Sequence, residues 1–241
     1  MAKIIKKKSD LVAKRNRTKA MYIIGHILLV LFGVLFIEVT FSYGPEIISV
    51  LSFLASTVGL FMVHFTRDSV GIENAGVDGE EKAMKMLEKG LPNSFACINN
   101  AIITYENRHN ELDIIVVGDT GVFIIEVKNT AGNIKGSYYD KVLKQEKRNE
   151  TKEMRSPIQQ VRTHADILQR YLKANGIRTW VQGVVFFVNP KCSPMISDIP
   201  DNGVPVFAVS SGGERQLMEY LQNVSPNSVS QEEIQRIISL I

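Results

Sequence analysis

Cysteine is scarce in this chain. Cys97 and Cys192 are the only two among 241 residues. That excludes a disulfide framework and leaves two buried, reduced thiols of a cytosolic domain as the plain reading. There is no C-x-x-C pair, no H-E-x-x-H and no G-x-x-x-x-G-K-[ST] loop, so a zinc finger, a zinc protease and a P-loop ATPase have no support. Internal repeats and low-complexity tracts are also absent. Residues 38–46, EVTFSYGPE, contain no lysine or arginine.

Positive charge is abundant at the start instead. Residues 1–19 hold eight lysines and arginines against Asp10 alone, while the whole chain nets only +3. The remainder is therefore acidic. After this arm, residues 20–37 (AMYIIGHILLVLFGVLFI) and 47–65 (IISVLSFLASTVGLFMVHF) carry no formal charge. Each run is long enough to cross a hydrocarbon core of ~30 Å as a helix. The pair reads as a transmembrane hairpin with Tyr43-Gly44-Pro45 at its tip. The flanking charge keeps the basic arm inside and the tip outside. Both termini are then cytoplasmic, in a cell (inner) membrane. A cleaved signal peptide fits poorly, because no A-x-A site follows and a second span comes at once. His26 and His64, in or at the spans, read as tolerated polar residues.

Five segments follow: a basic cytoplasmic arm (1–19), the hairpin in the bilayer (20–65), a linker (66–75), one α/β domain (76–212) and a C-terminal helical segment (213–241). In GVDGEEKAMKMLEKGLP, Ala83, Met84, Leu87 and Leu91 fall at helical spacing, with Glu80 and Glu81 in the first turn. SFACINNAIIT reads as a strand. Pro157 opens a helix with an apolar stripe of Ile158, Val161, Ala165, Leu168 and Leu172. His164 there reads as a packed or capping residue. WVQGVVFFV and VPVFAV are further strands, and Ser230 with Glu233 forms a capping box for a last helix. The expected fold class is α/β: a mixed sheet flanked by helices, preceded by two transmembrane helices.

The chemistry concentrates in ELDIIVVGDTGVFIIEVK, residues 111–128. Gly118-Asp119-Thr120-Gly121 separates two β-branched runs, a hairpin signal. With Asp119-Thr120 as the loop, Asp113 stands opposite Glu126 and Glu111 opposite Lys128. Directly opposed residues share a face about 5 Å apart. One face is Leu112, Ile114, Val116, Phe123, Ile125 and Val127. The other is Ile115, Val117, Val122 and Ile124, then the charged quartet. Two carboxylates side by side in an apolar sheet need a cation, which Lys128 or a divalent metal supplies. Beyond Lys128, a turn-rich basic segment with Lys135, Lys141 and Lys144 reads as a mobile loop suited to a polyanion.

Asp113, Glu126-Val127-Lys128, an upstream helix with Glu80 and a downstream helix with Gln160 resemble the PD-(D/E)xK nuclease superfamily. More closely, GVDGEE, ELDIIVVGDTGVFIIEVKNTAGNI and SPIQQVRTHADIL resemble the nuclease-related domain, NERD, over roughly residues 74–190. The chain departs from that pattern at Ser156, where the family usually has Asn, and lacks a tryptophan often seen after the hairpin. The resemblance implies a restriction-endonuclease-like fold and a Mg²⁺- or Mn²⁺-dependent endonuclease acting on DNA, with RNA the other candidate. Asp113 and Glu126 would hold the metal, with the Val127 carbonyl as third ligand. Lys128 would orient or help deprotonate water, Glu80 would be an outer or second-metal ligand, and Gln160 would position water or phosphate. Glu111 lies outside the motif, as a solvated residue or a partner of Lys128. Self-association into a homo-oligomer stays open. So do a silent nucleic-acid-binding module and a membrane sensor built on the same fold. The intact Asp, Glu and Lys favour the enzyme.

Overall fold

Two β-branched runs around Gly118 and Gly121 form the expected hairpin, β3 (Arg108–Gly118) and β4 (Gly121–Lys128). Gly118 pairs with Gly121, and the register runs out to Ile114 opposite Ile125. The computed structural model describes residues 1–6, 10–43, 47–148, 150–224 and 228–241. Around the hairpin lie β1 (Lys3–Lys6), β2 (Ala96–Tyr105), β8 (Val181–Phe187) and β10 (Val206–Ala208). They make one six-stranded sheet in the order β1-β2-β3-β4-β8-β10. β2, β3 and β4 are antiparallel neighbours, whereas β1 on β2, β8 on β4 and β10 on β8 are parallel. The sheet is thus mixed, as expected.

The chain divides into two units, Met1–Ser9 with Asp78–Ile241, and Asp10–Val77. The first unit holds the sheet. Its two faces carry separate cores. On one, α3 (Pro157–Ala174) and α5 (Gln231–Leu240) cover Ile115, Val117, Val122 and Ile124 through Val161, Leu168, Ile234 and Ile237. On the other, Ala83 and Leu87 from the end of α2 (Ile47–Gly90), Leu91 just beyond it and Leu217 from α4 (Gly213–Asn223) cover Ile114, Val116, Phe123 and Ile125. Covering both faces explains why β4 is buried along nearly its whole length. The capping box of Ser230 with Glu233 and the Pro157 start of α3 are both formed.

Three features differ from the sequence reading. Leu112 joins the α3 face with Ile115 and Val117 rather than lying with Ile114. The cause is opposite Asp113: Asn100 adopts φ 53°, which reverses the alternation of β2 so that Ile98, Ala101 and Ile103 share one face. The basic segment read as a mobile loop is instead a second sheet. It consists of β5 (Gly132–Ser137), β6 (Val142–Lys147), β7 (Glu150–Arg155) and β9 (Cys192–Ser197), ordered β7-β6-β5-β9. Its inward side rests on few residues, among them Ile134, Leu143 and Gln145, too few to stand out among the charges. Finally, residues 66–75, read as a linker, are helical within α2.

In the second unit, α1 (Asp10–Tyr43) packs against the first part of α2. Small residues set the approach. A Cβ on Gly59 would stand 2.6 Å from the Gly25 carbonyl oxygen, and one on Gly33 3.4 Å from Ser56 Oγ. Ser56 Oγ donates to the Leu29 carbonyl at 3.4 Å. Large apolar side chains such as Ile27, Leu31, Val34, Leu60 and Phe61 point outward. Both helices are long and apolar enough to cross a bilayer. The hairpin tip, beyond Tyr43, lies outside the described residues, as do Lys7 and Lys8 of the arm.

Candidate active site

Glu126 is the focus. It sits on β4, paired with Val185 of β8, and only 1% of it is exposed. Lys128, two residues on and so on the same face, donates from Nζ to Glu126 Oε1 at 2.6 Å. The same ammonium reaches Gln160 Oε1 at 3.3 Å. Gln160 is held there because Ser156 caps α3, its hydroxyl accepting from the Gln159 N–H at 3.5 Å. One helical turn later His164 Nδ1 stands 3.5 Å from Glu126 Oε2, at ion-pair distance, and neither atom makes a hydrogen bond among the described residues. Burial pushes the Glu126 carboxyl up, but His164 and the Lys128 ammonium outweigh it and hold the group below its ordinary value.

Asp113 closes the other side. The β3–β4 ladder ends at Ile114, and beyond it the Val127 N–H donates to Asp113 Oδ2 at 2.9 Å. A side chain thus replaces a backbone acceptor and ties Asp113 to the residue between Glu126 and Lys128. Burial and the Glu126 charge raise the Asp113 carboxyl to about 7, against the pull of Lys128 and the Val127 N–H. Glu80 comes from α2. Gly79 before it is the reason the helix lies so near: a Cβ there would stand 2.6 Å from Asn129 Cβ. Burial first, then the charges of Asp113, Glu111 and Glu126, raise Glu80 to about 8.

The site therefore has more negative charge than its protein cations balance. Glu126 Oε2 and Glu111 Oε1 are buried and make no hydrogen bond among the described residues. Among the described residues, no three His, Cys, Asp or Glu side chains are gathered tightly enough to hold a metal ion as they stand. The donor chemistry nevertheless fits a hard divalent cation. It is all carboxylate oxygen, two of its groups are driven toward protonation by burial and then by neighbouring charge, and two oxygens make no hydrogen bond among the described residues.

Residues 75–188 match the family model of the nuclease-related domain. The chain carries a nuclease-related domain. An uncharacterized protein of Bacillus anthracis is 38% identical over 63 residues, which span 26% of this chain and 30% of that protein. The chain thus covers under a third of the relative's length. No solved structure matches the chain significantly.

Within this nuclease-related domain, Glu80, Asp113, Glu126, Val127, Lys128 and Gln160 come together at one place, where β4 meets α2 and α3. Lys135 and Lys144 belong instead to β5 and β6 of the second sheet, and Lys141 directly precedes β6. Lys135 pairs across the strands with Lys144 and holds Glu146 at 2.7 Å. Two residues stand differently from the sequence expectation. His164, read as a packed or capping residue, follows Gln160 by four, the spacing that puts two side chains on one helix face, and it faces Glu126. Glu111, expected in solvent or on Lys128, is instead near enough to Glu80 to raise its proton affinity. The reversal of alternation at Asn100 and Asp113 hid it.

Proposed function

We propose that this protein is a membrane-anchored, metal-dependent endonuclease that hydrolyses phosphodiester bonds in DNA. The observation that carries the reading is the buried Glu126, tied to Lys128 at 2.6 Å and flanked by Asp113 and Glu80 in a nuclease-related domain. Asp113 and Glu126, with the Val127 carbonyl, would hold Mg²⁺ or Mn²⁺, and Glu80 would complete the set. Such an ion supplies Lewis-acid stabilisation of the phosphoryl oxygen and an acidified water.

The chain's own residues do the rest. Lys128 offers a compact ammonium that can leave Glu126 for a phosphate oxygen or the attacking water. Gln160, within reach of that ammonium, orients the same water or phosphate. Asp113 holds the strand between Glu126 and Lys128 through the Val127 N–H, so the two carboxylates and the cation keep one geometry. Burial on both faces of β4 keeps the cup rigid. Lys135, Lys141 and Lys144 suit the phosphate backbone farther along the substrate.

The anchor is the α1–α2 pair. β1 precedes α1 yet adds to the edge of the domain's own sheet at β2. A hairpin that leaves this unit and returns to it has both ends on one side of a bilayer. The basic residues 1–19 argue that this side is cytoplasmic.

The test uses the intact protein in detergent micelles. Supercoiled plasmid, linear single-stranded DNA and RNA are each incubated with Mg²⁺, Mn²⁺ or EDTA. Cutting of DNA with metal and none in EDTA is expected. A folded protein that cuts no substrate under any metal would overturn the proposal.

A further inference from the structure

The chain has a single tryptophan, Trp180, and it is placed where an apolar ring gains little. It precedes β8 and is 49% exposed. Its Nε1 donates to Gln182 Oε1 at 3.3 Å, which fixes the ring. Beside it, a cavity of about 310 Å³ opens between α3 and the first residues of β8. Arg162, Gln169, Gln182 and Asn202 line it with Trp180, and Asp166, also in its wall, is paired with Arg170 at 2.9 Å. The Arg162 guanidinium is itself steadied over the Tyr138 ring, 5.8 Å from its centroid. On the other side of Trp180 a second hollow of about 320 Å³ is bordered by Lys173 and Arg178.

These walls select a ligand. An indole and a guanidinium offer flat faces for stacking, and side-chain amides offer edges for hydrogen bonds. The volume lies at the small end for a ligand site, right for one planar polar ring and too small for a folded peptide. Lys173 and Arg178 next door suit phosphates. Stacking platforms interleaved with cations are how proteins hold unpaired bases.

We infer that this cavity is a nucleobase pocket that holds an unpaired base of single-stranded nucleic acid, stacked on Trp180, while the strand runs on to the carboxylate site. The inference rests on the nuclease reading and narrows it, because a base locked in a duplex cannot enter. One helix links the two places. Gln160 of α3 lies at the carboxylates and Gln169 at the cavity. Nine residues at 1.5 Å each is about 14 Å, or about four stacked steps of a strand at 3.4 Å.

The single tryptophan makes its own reporter. The intact protein in micelles, with EDTA and low salt, is titrated with a single-stranded oligonucleotide, an abasic strand of equal length and a duplex, following Trp180 emission. The base-bearing strand should quench saturably, and the abasic strand at least about tenfold more weakly. Trp180→Leu should weaken binding of a labelled single strand, read by anisotropy, by roughly five- to hundred-fold, with Trp180→Phe recovering part. If Trp180→Leu fails to fold by circular dichroism, Arg162→Gln replaces it and should also weaken binding. Equal quenching by abasic and base-bearing strands would overturn the pocket. So would no quenching from a preparation that cuts plasmid with metal, which would leave the nuclease reading standing. Saturable base-dependent quenching by a protein that never cuts would uphold the pocket and defeat that reading instead.

Discussion

Replacing Glu80 with glutamine should stabilise the metal-free protein, and only at higher pH. Burial first, then the charges of Asp113, Glu111 and Glu126, raise the Glu80 carboxyl from 4.5 to about 8. A carboxyl whose folded value lies above its unfolded value binds its proton more tightly when folded. Stability from this group is therefore full below about pH 4.5 and is lost as the pH rises toward 8. One unit corresponds to ~1.4 kcal/mol, so a shift of this size sets a ceiling of ~5 kcal/mol. Glu80 is partly open to solvent, which screens the effect and lowers the expected gain to about 2 kcal/mol near pH 8. The assay is urea unfolding of the intact protein in detergent with EDTA, read by Trp180 emission at several pH values. Wild type and Glu80→Gln should coincide near pH 4.5 and diverge steadily above it. Parallel curves, with the same difference at every pH, would refute the account of a crowded carboxylate cup.

Three other outcomes follow from the same structure. Lys128→Met leaves the buried Glu126 carboxylate without its ammonium; it should cost about 2–3 kcal/mol in urea unfolding and remove any cutting activity. Gly79→Ala places a methyl 2.6 Å from Asn129 Cβ, so α2 must back away and carry Glu80 with it; Mn²⁺ affinity by calorimetry should fall about tenfold, a loss of ~1.4 kcal/mol. Gly33→Cys with Ser56→Cys should form a disulfide in membranes, since a Cβ at 33 lies 3.4 Å from Ser56 Oγ. Adding Gly59→Leu, whose side chain collides with the Gly25 backbone, should abolish that crosslink.

Much of the site was legible because local chemistry dictated it. The Gly-Asp-Thr-Gly turn fixed the register that brings Asp113 and Glu126 to neighbouring strands, and Pro157 behind the Ser156 cap fixed where Gln160 falls on α3. What escaped depends on contacts between distant segments. Lys3–Lys6 carries no strand signal of its own; it is a strand because the edge of β2 is there to pair with. The second sheet has alternation but few apolar residues, so its charges read as a solvated loop. Residues 66–75 hold Gly71 in a largely polar setting, yet they continue the helix that apolar runs begin and end. The left-handed turn of Asn100 moved Leu112 and Glu111 off their expected faces, and nothing in a strand of such regular hydrophobicity announced it.

If Glu126 anchors a metal-dependent hydrolytic site, its side chain is indispensable to cutting. The decisive comparison is the initial rate of nicking of supercoiled plasmid in Mn²⁺ by wild type and Glu126→Ala, purified side by side and matched for fold by circular dichroism. Wild type should nick the plasmid and EDTA should stop it, and the variant should lose at least about a hundredfold, the scale of one essential electrostatic group. Equal rates from the two proteins would contradict it.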